Sequence, residues 1–172
     1  MDNEMKPMPI VWKRLVKGGE TCVRCGNTRR ELEAAVAKLT VSLQPLGIEP
    51  VLETQEIGEE AFKADPSESN RVWIANRPLE DWLDAAVGMS RCCSVCGESD
   101  CRTLEVDGRT YETIPEEQFI QAGLMAGHQM AEAASARVTG AAPCCAGDAA
   151  AQPCAPAPKQ ANECDCCRSD GP

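Results

Sequence analysis

The chain has 172 residues, with 17 basic and 27 acidic side chains, a formal net charge of −10 and a pI near 4.6, and only 3 % of its residues are aromatic. This composition argues against a protein that binds nucleic acid through phosphate contacts or base stacking, and against one attracted to an anionic lipid surface. The sequence also lacks a secretory signal and an apolar run near the roughly 20 residues of a membrane span, so we expect a cytoplasmic protein.

The first half of the chain alternates strand and helix signals. Strands are predicted at residues 9–16, 48–53 and 70–75, and short helices at 59–64 and 79–86. A long helix is predicted to begin at Thr28, the N-cap of a capping box that Glu31 completes, and to end near Gly47. Pro50 indicates an edge position or a bulge for the second strand, because proline has no N–H to donate to a neighbouring strand.

The second half predicts a hairpin followed by a helix. Asp107 and Gly108 separate two short strand-like runs, 103–106 and 109–113, and this dipeptide is typical of a tight hairpin turn. A C-terminal helix is predicted from Pro115 to residue 136. The order predicts an α/β protein with a mixed sheet, in which a βαβ unit is followed by a β-hairpin and a C-terminal helix, as in a thioredoxin-like fold.

The composition changes sharply near residue 136. Residues 137–172 contain six of the twelve cysteines and five prolines, but no Leu, Ile, Met or aromatic residue. Such a segment buries too little apolar surface to offset its ordering entropy. We therefore predict a thioredoxin-like domain at 1–136 and a disordered cysteine-rich tail at 137–172.

Twelve cysteines are far too many for an ordinary cytoplasmic domain, and in a reducing compartment they favour metal binding or redox chemistry over a disulfide framework. Cys22 and Cys25 form a C-x-x-C-G motif between the first strand and the long helix. Cys93 and Cys96 form a second C-x-x-C-G motif before the hairpin, with Cys92 and Cys101 beside it. A thioredoxin-like topology would bring these two segments together, so that four thiols could hold a zinc ion.

The tail contains adjacent cysteines, which form poor disulfides but can share one soft ion. Trivalent arsenic accepts two or three thiolates, and mercury(II) is similarly thiophilic. The candidate metal ligands are therefore all twelve cysteines: Cys22, Cys25, Cys92, Cys93, Cys96, Cys101, Cys144, Cys145, Cys154, Cys164, Cys166 and Cys167. His128 is the only histidine, which argues against Cys–His catalysis.

Redox chemistry is the main alternative at the first motif. Cys22 would be the attacking thiolate, favoured by Arg24, and Cys25 the resolving thiol. The motif lies six residues before the predicted cap at Thr28, whereas a redox pair of this type usually opens the helix. A third alternative is a structural zinc domain with a partner-binding tail.

Three stretches resemble a prokaryotic thioredoxin-like family that is known only as a domain of unknown function: WKRLVKGGETCVRCGNT, ESNRVWIANRPLEDWL and CCSVCGESDCRTLEVDGRTYETIPEEQFIQAGL. The resemblance covers roughly residues 9–127. It implies a thioredoxin-like fold and, because some members of that family look to be encoded near arsenic or mercury resistance genes, a link to resistance. The cysteine-rich tail is not part of the common domain.

These observations predict a cytoplasmic thiol-rich protein that binds trivalent arsenic, organoarsenicals or mercury for detoxification, with zinc as a further candidate ion. The expected partners are the ion itself and an efflux pump or reductase, with no nucleic acid and no membrane. Catalysis stays open at this stage, and any reaction would be thiol–disulfide or metalloid redox chemistry at Cys22 and Cys25.

Overall fold

The computed structural model describes residues 5–92 and 96–138. In chain order the elements are β1 (Lys6–Leu15), α1 (Val23–Leu43), β2 (Ile48–Ile57), α2 (Glu59–Ala64), β3 (Arg71–Ile74), β4 (Arg77–Pro78), α3 (Leu79–Leu83), β5 (Ala86–Arg91), β6 (Asp100–Val106), β7 (Arg109–Tyr111) and α4 (Glu116–Val138). Nearly all of the predicted tail lies outside the described residues, and its disorder stays a prediction.

The first sheet has four strands in the order β2-β1-β3-β4. β1 runs parallel to β2 and antiparallel to β3, and β3 is antiparallel to β4. Alternate residues of β1, Met8, Ile10 and Trp12, are fully buried with Leu39 and Leu43 of α1. The predicted mixed α/β architecture with a C-terminal helix is confirmed, and Pro50 lies in β2 at the edge of this sheet, as expected.

The N-cap of the long helix is Cys22, six residues before the N-cap that the capping box predicted. α1 starts at Val23, and Thr28 is buried within it, where its hydroxyl accepts hydrogen bonds from the side-chain amide of Asn70 and the backbone N–H of Ile114. Glu31 instead accepts the N–H of Glu116 at the start of α4 at 2.9 Å. The sequence pattern of a cap is therefore used for contacts between elements.

The second sheet is an antiparallel set of three strands in the order β5-β6-β7. The predicted hairpin joins β6 and β7, and its turn residues Asp107 and Gly108 both have positive φ, 50° and 75°. This hairpin belongs to the second sheet, not to the sheet that contains β1. The hairpin of the first sheet is instead the β3–β4 pair, whose turn contains Ala75 and Asn76.

Buried arginines connect the second sheet to the rest of the fold. Arg102 of β6 pairs with Glu80 of α3 at 2.6 Å and donates to the carbonyl of Ser67 at 3.3 Å. Arg24 of α1 donates to the carbonyl of Arg91 at the end of β5 at 2.9 Å. These bonds fix the position of the segment that carries the second group of cysteines.

None of the helices in residues 5–92 and 96–138 is long and apolar enough to span a membrane.

Candidate functional site

Cys22 is the N-cap of α1. Its side-chain sulfur accepts the backbone N–H of Cys25 at 3.4 Å, which is the bond that Ser or Asp ordinarily provides at a helix start. The predicted six-residue gap between the motif and the helix is therefore wrong, because Cys22 itself caps the helix. The C-x-x-C motif opens the helix after β1, in the position of a redox pair.

Three cysteine sulfurs from two distant segments meet at this helix start. Cys92 follows β5 and Cys96 precedes β6, and the Sγ of Cys92 lies 3.7 Å from the Sγ of Cys22 across 70 residues of sequence. The Sγ atoms of Cys22, Cys92 and Cys96 all lie within 4.8 Å of one another. We name this group the thiol trio.

The spacing within the thiol trio is compatible with a bound ion. Tetrahedral zinc, with Zn–S bonds of about 2.3 Å, separates its sulfur ligands by about 3.8 Å. The Cys22–Cys92 separation of 3.7 Å is already close to that value, and small rotations of the side chain of Cys96 would complete the set. The trio could therefore hold a metal ion, and its thiol chemistry favours soft ions.

Two further cysteines lie behind the trio. Cys25 is buried, and its Sγ lies 3.7 Å from the hydroxyl oxygen of Ser69. Cys101 is buried on β6, and its Sγ lies 3.0 Å from the Sγ of Cys96. Both are predicted ligands that contact a member of the trio without joining it.

The surroundings of Cys22 favour its thiolate form, whereas those of Cys25 and Cys96 favour the neutral thiol. Hydrogen bonds from the side chain and the backbone N–H of Cys25 outweigh burial and lower the pKa of Cys22 to about 5. The same contact with Cys22, together with burial, raises the pKa of Cys25 well above its usual range. Burial, chiefly, also raises the pKa of Cys96. The site therefore favours a single thiolate at Cys22.

Arg24 has a different role from the one predicted for it. Its guanidinium group is buried, binds backbone carbonyls of β5 and β6, and pairs with the carboxylate of Glu112 at 3.0 Å. The pKa of Cys22 is lowered chiefly by its hydrogen bonds with Cys25, and further by Cys92 and Cys96. Its position between two cysteines was visible in the sequence, but its role in attaching β5 to the start of α1 depends on long-range contacts.

The two C-x-x-C-G motifs are not equivalent. Gly26 lies within α1, where its N–H makes an ordinary helical bond to the carbonyl of Cys22 at 2.9 Å. Gly97 has a positive φ of 65°, which suits glycine and turns the chain after Cys96. The backbone therefore turns at Gly97 directly after Cys96, whereas at Gly26 it continues as a helix.

The remaining predicted ligands are not described. Cys93 and the six tail cysteines lie outside the described residues: Cys144, Cys145, Cys154, Cys164, Cys166 and Cys167. His128 is exposed on α4, whose N-terminal residues are Glu116 and Glu117.

A groove of about 290 Å³ borders the trio at Cys92. Its lining consists of Val23, Arg24, Asn27, Arg91, Cys92, Glu112 and Thr113. Cys92 is the only half-buried member of the trio, since Cys22 and Cys96 are buried. The groove is therefore a route by which a small thiophilic ligand could reach the sulfurs.

Residues 8–123 match the model of a family described as "Domain of unknown function (DUF2703)". The chain belongs to this family. It is also 48 % identical over 107 residues to an uncharacterized protein of Archaeoglobus fulgidus, across 62 % of this chain and 78 % of the relative. No solved structure matches the chain. The family match includes all five described cysteines and ends before the tail, so the predicted membership in a family of unknown function is confirmed.

Proposed function

We propose that the protein binds one soft metal or metalloid ion through Cys22, Cys92 and Cys96, with trivalent arsenic, organoarsenicals or mercury(II) as its cargo, and that it serves in detoxification. The observation that carries this proposal is the convergence of three sulfurs within 4.8 Å, contributed by two segments far apart in sequence. Cys22 and Cys92 are 70 residues apart in sequence, so the tertiary fold, and not a local motif, brings their sulfurs to 3.7 Å.

The number and type of ligands favour a thiophilic ion that accepts three sulfurs. Within the described residues the group contains three thiols and no carboxylate or imidazole. Thiolates select soft ions, and trivalent arsenic accepts three of them while retaining its lone pair. Zinc in a structural site requires a fourth protein ligand.

The topology of the first sheet supports a thioredoxin-like assignment. Its strand order β2-β1-β3-β4, its parallel β1–α1–β2 unit and its antiparallel β3–β4 pair are those of the minimal thioredoxin-like sheet. The C-x-x-C motif at the start of α1 is in the matching position. The second sheet would then be an insertion between α3 and α4 that brings Cys92 and Cys96 to the motif.

In this proposal the tail captures ions for the trio. Its six cysteines, tethered to the domain, would raise the local thiol concentration and pass an ion to the trio or onward to an efflux pump or reductase. Adjacent pairs such as Cys144–Cys145 and Cys166–Cys167 suit this role because they can bind one ion together without a preformed site.

The test is a titration of reduced, metal-free protein with arsenite, phenylarsenous acid, mercury(II) and zinc. Bound ion is measured after desalting in a full-length chain whose six tail cysteines are serine, so that only the domain thiols are counted. We expect one arsenic or mercury ion per chain. Cys22→Ser, Cys92→Ser and Cys96→Ser should each weaken binding at least tenfold, because each removes one of three ligands.

A matched control separates the ligands from a nearby cysteine. Cys25→Ser leaves the trio intact and should retain the full stoichiometry. Equal binding by the parent and by all three trio variants would contradict the proposal. Zinc retained at one ion per chain, with a loss of the thermal transition on chelation, would instead indicate a structural zinc site.

A second candidate function is thiol–disulfide exchange by Cys22 and Cys25. The observation that favours it is the N-cap position of Cys22, whose sulfur receives the N–H and the thiol of Cys25 and whose pKa is lowered to about 5. The test is reduction of a small disulfide by the reduced, metal-free protein. Protein loaded beforehand with an ion that Cys22 binds tightly should not carry out this reaction.

A further inference from the structure

The sulfurs of Cys96 and Cys101 lie closer together than those of Cys22 and Cys92. The Sγ atoms of Cys96 and Cys101 are 3.0 Å apart, compared with 3.7 Å between Cys92 and Cys22. Cys96 and Cys101 are 6 % and 1 % exposed, and Cys22 and Cys25 are comparably buried at 3 % and 1 %, so the two pairs do not differ in exposure. A disulfide requires an S–S distance of about 2.05 Å, which small rotations of these two side chains would produce.

Four of the thiols form a continuous path. Cys25 contacts Cys22, Cys22 lies within 4.8 Å of Cys96, and Cys96 contacts Cys101. Cys22 and Cys96 thus each belong to the trio and also to a close pair. A disulfide formed at one end of this path can move to the other end by thiol exchange, because each step needs only neighbouring sulfurs.

We propose that Cys96 and Cys101 are a second redox dithiol that takes over the disulfide formed at Cys22 and Cys25. In the first stage Cys22 attacks an external disulfide and releases one thiol, and Cys25 then attacks Cys22 and releases the other. The external disulfide gains two electrons and two protons, and the Cys22–Cys25 bond forms.

In the second stage the sulfur of Cys96 attacks the sulfur of Cys22, the Cys22–Cys25 bond breaks, and the proton of the Cys96 thiol passes to the departing sulfur of Cys25. Cys101 then attacks the sulfur of Cys96, and Cys22 leaves in the same way. The protons lost by Cys96 and Cys101 balance those gained by Cys25 and Cys22. No oxidant beyond the first disulfide is consumed.

This relay has a direct consequence for the trio. A sulfur in a disulfide is not a thiolate ligand, so formation of the Cys96–Cys101 bond removes one of three ligands. The relay goes beyond the proposed binding of metal(loid) ions and does not depend on it, because every step takes place in metal-free protein.

The test follows the position of the disulfide over time. Full-length protein with its six tail cysteines changed to serine is reduced, freed of metal with a chelator, and mixed with oxidised glutathione as the external disulfide. Remaining thiols are alkylated at intervals and disulfides are mapped by mass spectrometry. Cleavage at Arg24 separates Cys22 from Cys25, and cleavage at Glu98 separates Cys96 from Cys101.

We expect the Cys22–Cys25 disulfide to appear first and to decay as the Cys96–Cys101 disulfide accumulates. In a Cys22→Ser variant, formation of the Cys96–Cys101 disulfide should slow at least tenfold, because its route through Cys22 is absent. Far-ultraviolet circular dichroism of that variant checks that it folds.

Two results would overturn the relay. One is a Cys22–Cys25 disulfide that persists while Cys96 and Cys101 remain fully alkylated. The other is formation of the Cys96–Cys101 disulfide at the parent's rate in the Cys22→Ser variant, which would mean direct oxidation from outside. Failure of arsenic or mercury to bind reduced protein would contradict the proposed function and leave the relay unaffected.

Discussion

Cys22 combines two features at one residue: it caps a long helix and it has the acidic thiol of the site. In most helices the free N–H at this position donates to the side-chain oxygen of the N-cap residue. Here the N–H of Cys25 donates to the sulfur of Cys22 and stabilises its thiolate form. The sequence motif indicated that Cys22 was reactive. It did not indicate the cap, because cysteine is not among the residues from which a cap is normally inferred.

The lowered pKa of Cys22, about 5, predicts the pH profile of its alkylation. The thiolate is the reacting form, so in metal-free protein the rate should be nearly constant from pH 7 to 9. It should fall about tenfold per pH unit below pH 5, where Cys22 becomes protonated. Alkylation of an unshifted thiol, with a pKa near 8.5, would instead accelerate about eightfold between pH 7 and 8. The measurement is iodoacetamide labelling of the Cys22 peptide by mass spectrometry.

A substitution of the neighbouring cysteine provides the control. Cys25→Ala removes the side-chain hydrogen bond that contributes most to the shift, so the midpoint of the Cys22 profile should move upward. Cys25→Ser retains a hydroxyl donor and should move it less. A midpoint for Cys22 between pH 8 and 9 in the parent protein would refute this account of the site.

At the scale of elements, α1 and α4 pack closely because small residues of α4 face leucines of α1. A Cβ atom added at Gly123 would overlap the buried side chain of Leu39, with 2.8 Å to its Cδ2 atom, and one added at Gly127 would overlap Leu43 in the same way. The glycines therefore set the distance between the two helices.

This packing predicts opposite effects for two Gly→Ala substitutions in helices. Gly123→Ala should lower the free energy of unfolding by about 1 kcal/mol or more, because overpacking costs about 1–3 kcal/mol and exceeds the gain of up to about 1 kcal/mol in helix propensity. Gly26→Ala meets no atom within 4 Å and should raise it by up to about 1 kcal/mol. Urea denaturation measures both; a stabilised Gly123→Ala would show that Leu39 moves aside freely.

The elements that depend on local pattern were predictable, and those that depend on pairing were not. The periodicity of α1 and the turn at Asp107–Gly108 identified the helix and the hairpin, and α2 lies at the predicted residues. The sequence did not predict β5 because Ala86–Arg91 has little β-propensity and contains Gly88. A Cβ atom added at Gly88 would lie 2.7 Å from the hydroxyl oxygen of Thr103, so β5 and β6 approach closely there. Pairing with β6, rather than its own sequence, makes β5 a strand.

At the scale of the whole molecule, the candidate site exists because the second sheet is held against the start of α1. The motifs in the sequence identified the cysteines, and the predicted topology led us to expect that the two segments meet. They did not show that Cys92 and Cys96, rather than Cys25, would join Cys22. That selection depends on Arg24 and Arg102, two buried arginines whose partners lie far away in the sequence.

The buried pair of Arg102 and Glu80 provides a test of how strongly the second sheet is attached. Their side chains are 6 % and 13 % exposed, and Arg71 also lies near Glu80, at 3.7 Å. Arg102→Met should lower the free energy of unfolding by about 3 kcal/mol, the lower end of the range for a broken buried pair, because Arg71 still compensates part of the charge of Glu80.

The double variant Arg102→Met/Glu80→Gln separates the cost of an unpaired charge from the loss of packing. In Arg102→Met the carboxylate of Glu80 loses its closest partner, and Glu80→Gln removes that unpaired charge. The free energy of unfolding of the double variant should therefore exceed that of Arg102→Met alone by about 1–2 kcal/mol. Chemical denaturation of the parent, both single variants and the double variant gives the coupling energy. Strictly additive effects would mean that the ion pair contributes nothing to the attachment of the second sheet. A positive coupling would show that the Arg102–Glu80 pair helps to hold β6, which contains Cys101, against α3.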